Sequence, residues 1–257
     1  MAEKTRKPKI GLEDLLFEQG LAPSRERARA LILAGRVLVN EQKLEKAGTA
    51  VRSDSTIRLL GVDPPYVSRG GVKLAEALKH WQIAVQGRAC LDVGTSTGGF
   101  TDCLLQHGAM LVTAIDTGFG QIAMKLRQDA RVRLMERTNA RLLEPNSLAA
   151  RAGEPRPDLL VMDVSFVSAT MLLGPVFAAA PDLTEAVVLV KPQFEVERGQ
   201  VGTGGIVRDP DAHREAIEKV ADCVRSLGWE VAGVIDSPIT GAEGNKEFLL
   251  YARRPAH

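Results

Sequence analysis

Apolar positions along the chain change spacing once, and the change divides it. Between residues 12 and 34 they recur at helical intervals: Leu12, Leu15 and Leu16 lie on one face, and Ala28, Leu31 and Ile32 on another, with Gly20 and Gly35 placed to stop each helix. Ser24 is a suitable N-cap for the second helix, which runs to about Ala34. Val37 to Val39 and Thr56 to Leu60 read as short strands, so a small α+β module is predicted. From Ala89 onward, apolar runs (89–93, 111–115, 132–135, 159–162, 186–190 and 230–235) alternate with helix-like segments, and 247–253 follows as a last strand. That alternation predicts an α/β domain on a mostly parallel sheet with helices on both faces, whose ligands sit at the carboxyl ends of the strands. Asp63-Pro64-Pro65 separates the two patterns, because successive prolines exclude helix and central strand. The expected organisation is a first domain over 8–63, a linker over 64–67 and a second domain over 68–257.

Composition adds exclusions. With 45% hydrophobic and 25% charged residues over 257 positions, the chain is globular rather than disordered. Cys90, Cys103 and Cys223 are widely spaced with no CxxC pair, which argues against a disulfide framework or zinc site and fits a reducing compartment, the cytoplasm by default. No export signal or membrane-spanning run is visible, and His80, His107, His213 and His257 lack ligand-like spacing, so no metal is expected. The formal net charge of +1 hides an asymmetry: residues 1–66 hold 12 Lys+Arg and 9 Asp+Glu, net +3, and the rest 21 and 23, net −2. Arg25, Arg27 and Arg29 decorate the polar side of the second helix, either as a solvated face or as a contact for an acidic partner.

The strongest local signal is Leu91-Asp92-Val93-Gly94-Thr95-Ser96-Thr97-Gly98-Gly99-Phe100, a strand entering a glycine-rich turn and then a helix beginning near Gly99. Glycine lets backbone approach a ligand closely, and a helix N-terminus offers free N–H groups. The next strand ends at Asp116, where a carboxylate can accept hydrogen bonds from a ribose diol. Ser96 replaces the second glycine of a dinucleotide fingerprint, and Asp92 would oppose a pyrophosphate but suit a cationic ligand. These details favour S-adenosylmethionine over NAD; tight strand-to-helix packing alone is the non-functional alternative. Two further apolar strands end in charge: 159–162 in Asp163-Val164-Ser165-Phe166, and 187–190 in Lys191-Pro192-Gln193-Phe194-Glu195. A charge after four buried apolar residues calls for a partner or a solvated cleft. Lys73, early in the helix that follows Ser68-Arg69-Gly70-Gly71, gains nothing from the helix dipole, which points to an anionic neighbour or substrate.

Two resemblances follow. Leu12, Leu15, Gly20-Leu21, Ser24-Arg25, Ala28, Leu31-Ile32, Gly35 and Val37-x-Val39-Asn40 resemble the S4 RNA-binding domain, which implies RNA contact by Lys9, Arg25, Arg36 and Lys46, with Arg69 added from the second domain. Glu41 departs from that pattern, putting a negative charge where the family usually has glycine. Lys73, Asp163, Lys191 and Glu247 resemble the Lys-Asp-Lys-Glu tetrad of 2′-O-methyltransferases of the RrmJ/FtsJ type. With Glu136-Arg137-Thr138-Asn139-Ala140-Arg141 and Gly244-Asn245-x-Glu247, nearly the whole chain resembles the TlyA family, bacterial ribosomal RNA cytidine 2′-O-methyltransferases some of whose members carry the label haemolysin. The resemblance implies a Rossmann-like S-adenosylmethionine-dependent methyltransferase sheet behind a small N-terminal α+β S4 domain, with ribosomal RNA or a ribosomal subunit as partner, no membrane, and a monomer. It implies catalytic Lys73, Asp163, Lys191 and Glu247, and a cofactor site of Asp92, Gly94, Ser96, Gly98, Gly99, Phe100, Asp116, Asn139 and Asp163. Asn139 would meet the adenine edge. Because the sequence stops ten residues after Glu247, the resemblance is to the shorter type, for which methylation of the large-subunit RNA alone is expected.

Methyl transfer to a ribose hydroxyl needs in-line placement and removal of a proton, so Lys191 is expected as general base or oxyanion stabiliser, oriented by Asp163, with Lys73 and Glu247 placing the ribose. Residues 196–209, with Gly199, Gly202, Gly204 and Gly205, are expected to form a lid or RNA-contacting loop, or merely a long surface connection. Rival readings are an NAD-dependent oxidoreductase, which leaves the tetrad unexplained, a membrane-active haemolysin, which lacks a membrane segment, and an RNA-binding protein whose methyltransferase half is inactive.

Overall fold

The computed structural model describes residues 8–22, 24–60, 65–150, 153–241 and 244–255. The chain divides into two compact units, Met1–Pro64 and Pro65–His257. Asp63 and Pro64, on which the expected boundary rests, lie outside the described residues.

In the first unit, strand β1 (Lys9–Gly11) leads into helix α1 (Leu12–Glu18), and α2 (Arg25–Leu33) follows. Ser24 Oγ accepts the Arg27 N–H at 3.2 Å, the cap its residue type predicts. Strands β2 (Val37–Val39), β3 (Gln42–Leu44), β4 (Ala50–Arg52) and β5 (Ile57–Leu59) complete the unit as an antiparallel β3-β2-β5 sheet and a β1-β4 pair. Leu12, Leu16, Ala28, Ile32 and Val37 are fully buried between helices and strands. The sequence pattern misses β1, β3 and β4, three-residue strands whose stability comes from pairing rather than from an apolar run. Between β2 and β3, Asn40 and Glu41 both adopt positive φ, 49° and 63°, the geometry of a primed hairpin turn in which glycine normally follows asparagine.

The second unit begins with α3 (Gly70–His80), then β6 (Ala89–Val93), α4 (Gly99–Gln106), β7 (Leu111–Ile115), α5 (Met124–Arg127) and β8 (Val132–Met135). It continues through β9 (Pro157–Met162), α6 (Thr170–Ala179), β10 (Glu185–Val190), α7 (Pro192–Glu195), α8 (Pro210–Ser226), β11 (Glu230–Asp236) and β12 (Phe248–Arg253). Glu247, expected inside the last strand, stands immediately before it. The seven strands lie in the order β11-β12-β10-β9-β6-β7-β8, and β12 runs antiparallel to both of its neighbours. Two apolar layers cover the sheet: Leu172, Leu173, Val176, Ala216, Val220 and Val224 on one face, and Leu74, Leu78, Phe100, Leu104 and Leu126 on the other. The chain winds outward from β6 to β7 and β8, then returns to place β9 on the opposite side of β6. That reversal opens a crevice at the carboxyl ends of β6 and β9, where ligands of doubly wound sheets bind.

At the opposite edge, Arg88 joins the starts of β9 and β10 by reaching Asp158 at 2.8 Å and Glu185 at 2.5 Å. Between these ends the strands are held by apolar packing. Leu160→Ala, at a fully buried position of β9, should destabilise the protein by about 2–5 kcal/mol, read as a lower midpoint in urea denaturation followed by circular dichroism.

Candidate active site

The turn after β6 is shaped by three close approaches. Gly94 has φ +86°, and a Cβ there would fall 2.3 Å from the backbone oxygen of Asp163, so this glycine lets the turns after β6 and β9 touch. Gly98, at φ +96°, is the N-cap of α4 and would carry a Cβ 2.3 Å from Leu126 Cδ1. At Gly99 a Cβ would meet Ser68 Oγ at 2.2 Å, so this glycine serves the contact between α4 and the 68–71 turn. Phe100 is buried against α3 and reaches the cleft only as part of its lining.

Beneath the turn, Asp92 is completely buried at the end of β6. Its Oδ2 accepts the Thr101 hydroxyl at 2.6 Å, while Oδ1 is buried without a hydrogen-bond partner among the described residues. Burial pushes its carboxyl up to about 7, opposed by the Thr101 hydrogen bond and reinforced by the charges of Asp163 and Asp116. Thr101 carries no motif that would single it out in the sequence.

Two cavities open on this turn. One, of about 600 Å³, is lined by Gly94, Ser96, Asp116, Asn139, Asp163 and Leu172 among others. Asp116 uses its carboxylate to accept the Ser96 N–H at 2.7 Å and the Gly118 N–H at 2.6 Å, shaping the pocket wall as well as facing the cavity. Asn139 Oδ1 accepts the Arg141 N–H at 3.1 Å, so it caps a short turn (Ala140–Leu142) from the same wall. Among the described lining residues, Arg141 is the one basic side chain, facing Asp116 and Asp163.

The other cavity, about 520 Å³, brings Lys73, Asp163, Lys191 and Glu247 into one cleft together with Arg69 and Gly70. The four charges stand as two ion pairs. Lys73 and Glu247 meet at 2.5 Å and are almost wholly buried. Lys191 Nζ lies 2.6 Å from Asp163 Oδ1 as an ion pair without directional hydrogen-bond geometry, and donates to Ser165 Oγ at 2.8 Å. The anionic neighbour expected of Lys73 is therefore Glu247. The cavities share Gly94, Ser96, Asp163, Ser165 and Phe166 as a common wall. Phe166 is 92% exposed, and its ring lies 5.4 Å from that of Phe194. A phenylalanine between two strand-end charges is visible in the sequence, but its exposure is not.

The expected lid is less free than its glycines imply. Arg198–Gln200 and Thr203–Gly205 are short helical turns, and buried Asn245 accepts the Val207 N–H at 3.0 Å and donates to the Gly205 carbonyl at 2.8 Å. Asn245 thus fastens Gly205, which lines the tetrad cleft, to the turn preceding Glu247.

In the first unit, the expected RNA-contacting residues divide. Arg25 is engaged by Asp14 at 2.5 Å, and Arg29 stands 3.4 Å from Glu13. Glu41, the departure from the S4 pattern, is paired with Arg58 at 2.7 Å. Exposed Lys9 and Lys46 and half-buried Arg36 have no ion pair among the described residues.

Comparison with known proteins fits this geometry. The model of the FtsJ-like methyltransferase family matches residues 66–254, and that of the S4 domain residues 10–57. The 16S/23S rRNA (cytidine-2′-O)-methyltransferase TlyA of Mycobacterium tuberculosis is 46% identical over 240 residues, covering 93% of this chain and 87% of its own. Hemolysin A of Brachyspira hyodysenteriae is 40% identical over 93% of this chain and 98% of its own. A solved structure from Streptococcus thermophilus, described as a hemolysin candidate, superposes with a TM-score of 0.71 at 40% identity, covering 96% of this chain and 89% of its own. No helix among the described residues is long and apolar enough to cross a membrane. A methyltransferase-family match over the second unit, an S4 match over the first and relatives at 40–46% identity over nearly the whole chain place it: this chain belongs to the FtsJ-like methyltransferase family, in the TlyA branch that carries an S4 domain.

Proposed function

We propose that the protein transfers a methyl group from S-adenosylmethionine to the 2′-hydroxyl of a cytidine in bacterial ribosomal RNA, within the cytoplasm, with the large-subunit RNA as the preferred substrate. The observation that carries this reading is the pair of cavities meeting at Asp163, one lined by acidic groups and a glycine turn, the other by the two lysine–carboxylate pairs.

The first cavity suits a cationic nucleoside. Asp92 holds an orphaned buried oxygen under the turn, and Asp116 and Asp163 face the cavity, a donor set that would repel a pyrophosphate. That chemistry favours S-adenosylmethionine over a nicotinamide dinucleotide. When bound, the cofactor supplies an electrophilic methyl group. Gly94, Ser96, Asp116 and Asn139 would hold its nucleoside part, and Asp163 would stand at the boundary across which the methyl passes.

In the second cavity, buried Lys73 and Glu247 hold each other rigid and present donors and acceptors for a ribose. Lys191, fixed by Asp163 and Ser165, would act in one of two ways as the 2′-oxygen bonds to the methyl carbon and the carbon–sulfur bond breaks: as the neutral amine it takes the hydroxyl proton, and as the ammonium it stabilises the oxyanion. Phe166 and Phe194 present an exposed aromatic surface beside the cleft, of the kind on which unpaired RNA bases stack. The S4 unit, through Lys9, Arg36 and Lys46, would hold structured RNA by its phosphates, with Arg25 acting mainly within its pair with Asp14.

Three outcomes test this reading. Lys191→Ala and Lys191→Arg should each lower methyl transfer to ribosomal subunits by at least about 10²-fold, with S-adenosylmethionine affinity by calorimetry nearly unchanged. Retained turnover in the arginine variant would remove the base assignment, since arginine does not give up its proton. Lys46→Gln should weaken ribosomal RNA binding and lower the slope of log affinity against log salt by about one, without changing cofactor affinity. For Asp92, a folded value near 7 lies above the ordinary carboxylate value of 3.8, so between them the folded chain holds more protons than the unfolded chain, and stability falls as pH rises through that window. Asp92→Asn should therefore stabilise the unliganded protein relative to wild type at pH 8 and little at pH 4, by thermal denaturation, while weakening cofactor binding.

A further inference from the structure

Asp163 and Lys191 meet across a gap that the sheet does not hold. The parallel β9–β10 ladder ends at Val188 opposite Met162, and the last two residues of β10 pair only with β12. Beyond that point the two turns leave the sheet separately. One carries Asp163, Ser165 and Phe166 toward α6; the other carries Lys191 and Phe194 through α7.

A second bridge joins the same two turns from behind. Glu195, the last residue of α7, is buried, and its carboxylate accepts the Ser168 hydroxyl at 2.5 Å and the Ala169 N–H at 2.7 Å. Those groups stand at the start of α6, whose own N-cap residue, Ala169, has no side chain able to cap it. Ser168 Oγ accepts the Thr170 N–H at 3.3 Å, and the Ala169 N–H is met by Glu195, 26 positions away. A serine or aspartate at the cap position would satisfy the helix locally; supplied by α7, the same hydrogen bonds also fix the distance between the two turns. Lys219 of α8 donates to the Glu195 backbone carbonyl and stands 3.9 Å from its Oε2, anchoring this bridge to the helical layer. Burial raises the Glu195 carboxyl above its ordinary value, opposed by Ser168, Ala169 and Lys219.

We propose that Glu195 is a positioning residue for methyl transfer: by capping α6 from α7, it sets the spacing at which Lys191 reaches Asp163 and Ser165. The proposal rests on the reading of Lys191 and Asp163 as catalytic. Glu195 is not among the residues that line either cavity. Its effect is on geometry, and displacement of a reacting group by an ångström costs on the order of 10²-fold in rate.

The test uses the full-length protein, ribosomal subunits from cells lacking it, and radiolabelled S-adenosylmethionine. Glu195→Ala should lower kcat by about 10- to 100-fold while the KM for S-adenosylmethionine stays within about threefold. Glu195→Gln, whose amide can still accept from Ala169 and donate to Ser168 Oγ, should recover most of that loss. Ser168→Ala removes one arm of the bridge and should give a smaller fall in kcat with the same cofactor KM; it carries the test if Glu195→Ala does not fold. The inference is overturned if folded Glu195→Ala, or Ser168→Ala in its place, turns over like wild type, if the glutamine variant is as impaired as the alanine variant, or if cofactor affinity collapses in parallel with kcat. Lys191→Ala measured alongside separates the two levels: an active Lys191→Ala removes the catalytic reading itself, whereas an inactive Lys191→Ala with an unaffected Glu195→Ala removes only the positioning role.

Discussion

Charge buried at the end of an apolar sheet is the constraint on which this site depends. β9 and β10 are apolar nearly to their carboxyl ends, and each finishes in a charged side chain that water reaches only in part. Such a group is tolerated where an opposite charge and directed hydrogen bonds replace water. Lys73 with Glu247 meets that condition, and Glu195 meets it through Ser168 and Ala169; Lys191 has the charge of Asp163 and a hydrogen bond to Ser165, but Asp163 Oδ1 receives no directed hydrogen bond among the described residues. Asp92 does not meet the condition, since one of its oxygens is left without a partner. The pairs hold their own shape before any substrate arrives. Asp92 Oδ1 is a buried acceptor left unsatisfied beneath the glycine turn, an unfavourable interaction held within the protein.

The α/β alternation was legible because the inner strands β6, β7, β9, β10 and β12 are buried on both faces over most of their length and read as continuous apolar runs. Asp163 and Lys191 were legible for the same reason, as breaks in those runs. What escaped the sequence is whatever depends on pairing across distance. Thr101 is an ordinary helix residue until Asp92 is seen beneath it, and Asn245 is a turn residue beside Gly244 until its contacts with Gly205 and Val207 are known. Glu195 stood within a recognised motif, yet its partners at Ser168 and Ala169 lie on another turn. The short strands β1, β3 and β4 were missed because Lys-Ile-Gly, Gln-Lys-Leu and Ala-Val-Arg carry one bulky apolar residue each, where the equally short β2 and β5 carry two or three.

The first unit shows how a charge count misleads in the other direction. Its net +3 invites the picture of a basic helix face, but Arg25 and Arg29 lean on Asp14 and Glu13 of the neighbouring helix. Exposed pairs of this kind contribute little to stability, about 0–1 kcal/mol, yet they lower the field that a phosphate backbone would meet. Among the described residues, Lys9, Arg36 and Lys46 have no ion pair and are spread over a strand, a turn and a loop, so the unpaired positive charge does not follow the helix face drawn by periodicity alone. Glu41, with Arg58 on the adjacent strand, adds no unbalanced charge to that surface.

The wall shared by the two cavities also bears on selectivity. Because Gly94, Asp163, Ser165 and Phe166 border both, the proposed transfer makes this wall a waist between the two cavities, built partly from the close backbone approach of Gly94 to Asp163 that joins the turns after β6 and β9. In that proposed arrangement a small group would cross it, whereas a longer alkyl chain on the donor would have to occupy the space of the acceptor. For a chemist, the same waist is a linker constraint: a single molecule joining an adenosine-like half to a cytidine-like half would have to be slender at that point and free to thicken only on either side.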